Sequence, residues 1–250
     1  MFDEQFQDDL EEVIARAKEA SVEQIVVPAI DVATSIKAVA LAERYDFIYA
    51  AVGIHPEAVN EIQDGDFERI LELAKHPKVV AVGEIGLDYH WDAAPRDRSQ
   101  EVLRTQIGLA RELSLPIIIH NRDATMDIVN LLTEECPPEV TGVMHCFTGS
   151  YETARQCMDM GFFISFGGPV TFKNAKNVKE VAAKIPDEWL LIETDAPYLT
   201  PHPFRGKRNE PARVRLVAET LAELRDKPVE EIITLTNANA KRLFQKVGSA

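Results

Sequence analysis

Cysteine is scarce in this chain, and what there is does not pair. The 250 residues include three cysteines, an odd number with no Cys-x-x-Cys spacing. That usage fits a reduced, cytoplasmic protein whose thiols are buried or inert. Long apolar runs are missing as well: none approaches the ~18 residues of a membrane helix. The acidic start Met1-Phe2-Asp3-Glu4-Gln5-Phe6 has neither the basic opening nor the apolar middle of a secretory signal. Basic charge is in deficit, with 27 Lys and Arg against 41 Asp and Glu and a net charge of −14. A surface of that sign excludes a broad electrostatic grip on nucleic acid. It leaves room for an enzyme that takes a phosphate-bearing substrate through a metal and a local basic patch. No linker, low-complexity tract or charge block divides the sequence, so residues 1–250 are expected to form a single domain.

What the chain does have is regular alternation. Apolar, β-type runs fall at 24–29, 47–52, 79–84, 116–120, 142–145, 162–166 and 190–193. Helical periodicity occupies 8–20, 34–45, 67–75, 99–113, 125–135, 152–160 and 177–183, with two more helices over 210–224 and 229–246. Nearly all-apolar strands separated by helices predict a parallel sheet covered on both faces. At this length the expected fold is α/β, a TIM-type (β/α)8 barrel. Only seven strands can be counted where such a barrel needs eight, and the chain opens directly in a helix. The first strand is therefore expected to be the one missing.

Four of the runs end in a residue that can bind a metal: Glu84, His120, His145 and Asp195. Active sites of α/β barrels lie at the C-terminal ends of their strands. Two imidazoles and two carboxylates converging there suit a divalent ion and metal-assisted hydrolysis. Each residue also has an ordinary reading taken alone. Glu84 could be a salt-bridged loop start, His120 and His145 packed strand ends, and Asp195 a cap for the turn imposed by Ala196-Pro197. Their recurrence at equivalent positions favours the common site. Glu193, a neighbour of Asp195, is expected on the opposite side of the strand as an ion-pair partner or supporting group. His55, in Gly53-Ile54-His55-Pro56, is a substrate contact or a turn residue. Arg122 is a phosphate clamp or an ion-pair partner of Asp123 or Asp127. Asp88 and Tyr89 are expected to line the same mouth, and His76 and His90 to be structural or surface groups. The loop containing His202, Arg205, Lys207 and Arg208 is the one basic cluster in an acidic chain, with His202 and Arg205 its expected phosphate contacts.

The motifs together resemble the TatD family of metal-dependent deoxyribonucleases, within the amidohydrolase-like barrels. They are Val-Gly-Glu84-Ile-Gly-Leu-Asp88-Tyr, Pro-Ile-Ile-Ile-His120-Asn-Arg-Asp, Met-His145-Cys-Phe-Thr-Gly-Ser, Glu-Thr-Asp195-Ala-Pro-Tyr-Leu, Gly-Ile-His55-Pro and Pro-His-Pro-Phe-Arg-Gly-Lys-Arg-Asn-Glu-Pro. The resemblance implies a metal-bridging role for Glu84, metal ligation by His120, His145 and Asp195, and activation of the attacking water by Asp195. It implies one or two divalent ions, Mg²⁺ or Mn²⁺ with Zn²⁺ also accommodated, and 3′ exonucleolytic cleavage of a single-stranded DNA end. No membrane partner is implied, and a monomer is compatible with the sequence. Family members begin with a strand ending Asp-(Thr/Ser)-His-x-His, a motif not found here, so one of two metal positions is expected to be depleted. Two alternatives follow: hydrolysis of another ester or amide, such as D-aminoacyl-tRNA, or a catalytically weak barrel kept for binding.

Overall fold

In the computed structural model, residues 1–91 and 93–247 are described. Seven strands lie in one sheet in chain order: β1 (Ile25–Pro28), β2 (Ile48–Val52), β3 (Val79–Asp88), β4 (Ile117–Arg122), β5 (Gly142–Met144), β6 (Phe162–Phe166) and β7 (Leu190–Ile192). Every neighbouring pair is parallel. The connecting helices are α2 (Val32–Arg44), α3 (Asp66–Ala74), α4 (Arg96–Leu113), α5 (Thr125–Glu135), α6 (Tyr151–Asp159) and α7 (Lys176–Lys184). α1 (Leu10–Glu19) precedes the sheet, and α8 (Val214–Arg225) and α9 (Val229–Leu243) follow it. The result is the TIM-type architecture, curled with seven strands; no ladder joins β7 to β1 among the described residues. No described helix is long and apolar enough to cross a membrane.

The strand pleat divides the core in two. One set of side chains, including Ile48, Ile117, Ile119, Phe162, Ile164 and Phe166, packs outward against the helices. The alternate set, Tyr49, Ala51, Val80, Ile118, Val143, Phe163 and Leu191, faces inward, where Leu243, Phe244 and Val247 of the C-terminal segment pack against it. Period-two alternation carries the inward face up each strand. His120 follows Ile118 and His145 follows Val143 by two residues, so both imidazoles continue that inward row. Burying each of the fully enclosed rings Phe162 and Phe166 contributes roughly 2–3 kcal/mol. The cysteines are unpaired, and burial pushes the thiols of Cys136 and Cys157 up to about 12, as expected of inert groups.

Two expectations about elements need correction. β3 does not stop at Glu84 but continues to Asp88, all ten of its residues buried. The charged side chain looked like a strand end because it has no place in an apolar core; it is tolerated because it faces the inner mouth. The sheet accommodates it through a register shift between Val82 and Ile85 against β4. Gly86 then pairs with His120, and a Cβ at residue 86 would lie 2.0 Å from the His120 carbonyl oxygen. Glycine there is a requirement of close backbone approach. The second correction is smaller: α8 begins at Val214, after a 3-10 turn over Pro211–Arg213, and α9 ends at Leu243.

Candidate active site

Glu84 sits at the centre. Its backbone N–H donates to the Ala29 carbonyl at 2.9 Å, which anchors the irregular part of β3 to the end of β1. Its Oε1 lies 2.8 Å from His120 Nδ1, and 3.6 Å from both His55 Nε2 and His145 Nε2. One carboxylate oxygen thus faces three imidazoles. Asp195 Oδ1 is 3.8 Å from His145 Nε2 and closes the group. The structure therefore brings together His55, Glu84, His120, His145 and Asp195.

Two further carboxylates set how the imidazoles are turned. Asp88 Oδ2 accepts from His120 Nε2 at 2.9 Å, while Asp88 Oδ1 accepts from the backbone N–H groups of His90 and Trp91. Glu193 Oε1 lies 2.8 Å from His145 Nδ1, although the approach is oblique and leaves that buried oxygen without an aligned hydrogen bond. Carboxylate backing of this sort fixes a metal-ligating imidazole's orientation and leaves the other ring nitrogen free to coordinate. His120 therefore offers Nδ1, and His145 offers Nε2. His55 is arranged the other way. Its Nδ1 accepts the Glu57 backbone N–H at 3.2 Å, so in the neutral ring Nε2 carries the hydrogen and donates toward Glu84. His55, Glu84 and His120 do place ligand atoms within 4.8 Å of one another. The hydrogen-bond pattern nonetheless casts His55 as a donor rather than a ligand.

Electrostatics follow from this crowding. Burial works against ionising Glu84, but His145, His120 and His55 outweigh it and hold the carboxyl well below the usual range. Burial likewise opposes charge on His145, yet Glu193 and Glu84 drive its pKa well above that of a free imidazole. His120 is raised against the same burial by Glu84 and Asp88. Asp195 differs: burial pushes its carboxyl up to about 7, with His145 pulling down and Glu84 and Glu193 pushing up. Crowded carboxylates whose charge is balanced only by the neighbouring imidazoles are what a divalent ion would stabilise in place of protons. The donor set of Glu84, His120, His145 and Asp195 fits such an ion.

Loops hold these residues by buried amides. Gln106 of α4 accepts from the Ile54 N–H at 2.7 Å and donates to the Ile54 carbonyl at 2.9 Å, which fixes the segment carrying His55. Asn209, fully buried, donates from Nδ2 to the carbonyls of Thr194 and Tyr198, both at 2.7 Å. It thereby clamps the turn containing Asp195, whose backbone is left-handed at φ 56°. Asp195 accepts from Tyr198 only through its main-chain carbonyl at 2.8 Å, so its side chain is not the cap of that turn.

Other expected residues separate. Arg122 pairs with neither Asp123, which faces His90, nor Asp127, which accepts from Tyr89 and Gln100. Its guanidinium instead lies 5.3 Å from the Trp91 ring centroid. Tyr89 donates its hydroxyl to Asp127 at 2.6 Å and packs against the main core. Arg205 stacks on Phe172 at 4.1 Å and borders an open cleft of about 390 Å³ with Tyr198, Lys207 and Arg208. His202 is exposed, and its backbone N–H donates to Thr171 Oγ1. Neither His202 nor Arg205 forms an ion pair among the described residues. Arg208 belongs to the scaffold, since both its terminal nitrogens donate to Asp9 at 2.7 and 2.6 Å.

Sequence reasoning placed Asp88 at the mouth without its support of His120, and expected Glu193 as a supporting group but on the wrong side. Residues 84, 86 and 88 share one face of β3, so the parity that placed Glu84 could have placed Asp88 beside it. The same parity puts Glu193 two residues beyond the inward-facing Leu191 and on the side of Asp195, where it meets His145.

Residues 1–245 match the family described as TatD related DNase. The chain belongs to the TatD family. It is 60% identical over 97% of its length to a metal-dependent hydrolase of Bacillus subtilis, YabD, itself uncharacterized, covering 95% of that protein. It is 34% identical over 97% of its length to the 3′-5′ ssDNA/RNA exonuclease TatD of Salmonella typhimurium, again covering 95%. Among solved structures, the TatD homologue YjjV of Escherichia coli superposes with a TM-score of 0.92 at 36% identity, over 97% of this chain and 94% of that one. This TatD-family chain is accordingly a metal-dependent hydrolase.

Proposed function

We propose that this hydrolase cleaves phosphodiester bonds, removing nucleotides from the 3′ end of single-stranded DNA. One observation carries the reading: a buried imidazole–carboxylate centre is accompanied by the cations Arg122 and Arg205, which form no ion pair among the described residues, in a chain of net charge −14. Glu84, His120, His145 and Asp195 are the ligands, for one or two ions. Mg²⁺ or Mn²⁺ best suits phosphodiester work, and the imidazoles also accommodate Zn²⁺. When bound, the ion polarises a phosphoryl oxygen and lowers the pKa of water. The protein's own groups do the rest. Asp195, beside His145 at the mouth, orients the attacking water and takes its proton. His55 donates its Nε2 hydrogen to a substrate oxygen, and Arg122, His202 and Arg205 hold flanking phosphates. The chain acts as a single domain, and the relative named as a ssDNA/RNA exonuclease supports the substrate class.

The test uses a 5′-labelled oligonucleotide with enzyme stripped by chelator and reloaded with Mg²⁺, Mn²⁺ or Zn²⁺. The expected product is a ladder shortening from the 3′ end, faster on single strands than on duplex. An enzyme inert toward DNA under every metal, yet active on an ester such as D-aminoacyl-tRNA, would overturn the assignment.

A further inference from the structure

Of the two tryptophans, Trp189 packs against Phe163 near the inner core, whereas Trp91 is 60% exposed. An exposed indole held in a fixed place beside a site offers a flat apolar face on which a ligand can stack. Trp91 is well placed. Its backbone N–H donates to Asp88 Oδ1 at 3.1 Å, and the other oxygen of Asp88 holds His120. A single carboxylate therefore sets the position of the indole relative to the metal-site imidazole. The His90 ring meets the indole edge-on, with centroids 5.0 Å apart at 88°, and restricts its rotation.

Arg122 supplies the second half. It ends β4 two residues beyond His120, and its guanidinium lies 5.3 Å from the indole centroid. Arg122 forms no ion pair among the described residues: Asp123 pairs with His90, and Asp127 accepts from Tyr89. An apolar ring and a guanidinium side by side match a ligand with a flat π face joined to an anion. A nucleotide unit has that form: the base stacks and the phosphate pairs.

We propose that Trp91 and Arg122 form a subsite for one nucleotide of the substrate strand, with Trp91 stacking on its base and Arg122 pairing with its phosphate. The proposal rests on the nuclease reading above. Stacking tolerates any base, so the subsite gives grip and register on a single strand without sequence preference. A duplex, whose bases are already stacked on each other, offers it nothing.

The experiment compares wild type, Trp91→Ala, Trp91→Phe and Arg122→Ala on a short single-stranded oligonucleotide and on a matched strand with one abasic site, moved stepwise along it. Trp91→Ala should raise KM about tenfold with kcat changed less than twofold, and Trp91→Phe should recover most of the loss. The abasic strand should bind wild type as weakly as the normal strand binds Trp91→Ala, but only with the gap at one position. Arg122→Ala should weaken both strands equally. Melting temperatures of all variants should match the parent. Cleavage by wild type with no effect of Trp91→Ala, or an equal effect on every abasic strand, would overturn the subsite and leave the nuclease assignment standing. Failure of wild type to bind or cleave single strands overturns both.

Discussion

Asp195 is asked to do two things that conflict. It must be an anion to accept a proton from water, yet it sits where burial pushes its pKa up to about 7. Asp195→Asn keeps the shape and one ligand oxygen but removes the proton acceptor. Turnover should fall by ~100-fold or more, the scale of a lost general base, while oligonucleotide affinity measured in chelator stays close to the parent. The same variant should show the linkage directly. In the metal-free native state the carboxyl keeps its proton to about pH 7, whereas in the unfolded chain it loses it near ~4. The native state thus holds more protons across that window, and its stability falls as pH rises from ~4 to about 7. Asparagine has no such dependence. Asp195→Asn should match the parent near pH 4 and exceed it at pH 8. The side chain keeps 28% exposure, which limits the gain to ~1–2 kcal/mol. Thermal melts in EDTA across that range give the answer; identical curves for the two proteins would show that Asp195 is already ionised and solvated in the native state.

At the scale of elements, the loop after β7 has two halves with different duties. Arg205 stacks on Phe172 and faces open cleft, whereas Arg208 is tied to Asp9 by two hydrogen bonds. Arg205→Ala should raise KM on DNA and leave the melting temperature nearly unchanged, since an exposed charge contributes little to stability. Arg208→Ala should lower the melting temperature by a few degrees, because it strands Asp9 and uncovers Phe6. A melting temperature that moves for Arg205 and not for Arg208 would reverse these roles. From sequence the two arginines look alike, three residues apart in one basic cluster; only the fold shows that α1 and its lead-in reach one of them. The strands were legible because parallel strands buried on both faces read as apolar runs. So were Glu84, His120, His145 and Asp195, as polar residues interrupting those runs where a core has no use for them. Legibility ended where geometry is not periodic. Asp88 lies on a strand the reading cut short, and Asn209 acts on Thr194 and Tyr198 from 15 and 11 residues away.

Taken whole, the molecule repels the polymer it is proposed to cut, except at one mouth. In a chain of net charge −14, the cations proposed to touch phosphate are Arg122, Arg205 and Lys207, none of which forms an ion pair among the described residues. For single strands each neutralised phosphate contributes about −0.7 to the slope of log K against log salt. Titrations from 50 to 300 mM salt should therefore give a slope of about −2. A slope steeper than about −4 would require a larger basic footprint than these three cations provide. The cleft also depends on contacts that join the two ends of the chain. Phe6 is fully buried, Asp9 binds Arg208 across 199 positions, and Arg16 binds Glu210 across 194. On the ribosome, the N-terminal segment emerges first and waits for partners that are made among the last. Until residues near 210 have cleared the exit tunnel, Asp9 lacks Arg208, Arg16 lacks Glu210 and the turn carrying Asp195 lacks Asn209. A growing chain that has not reached those residues can therefore gather the inner imidazoles around Glu84 without yet having a fixed Asp195.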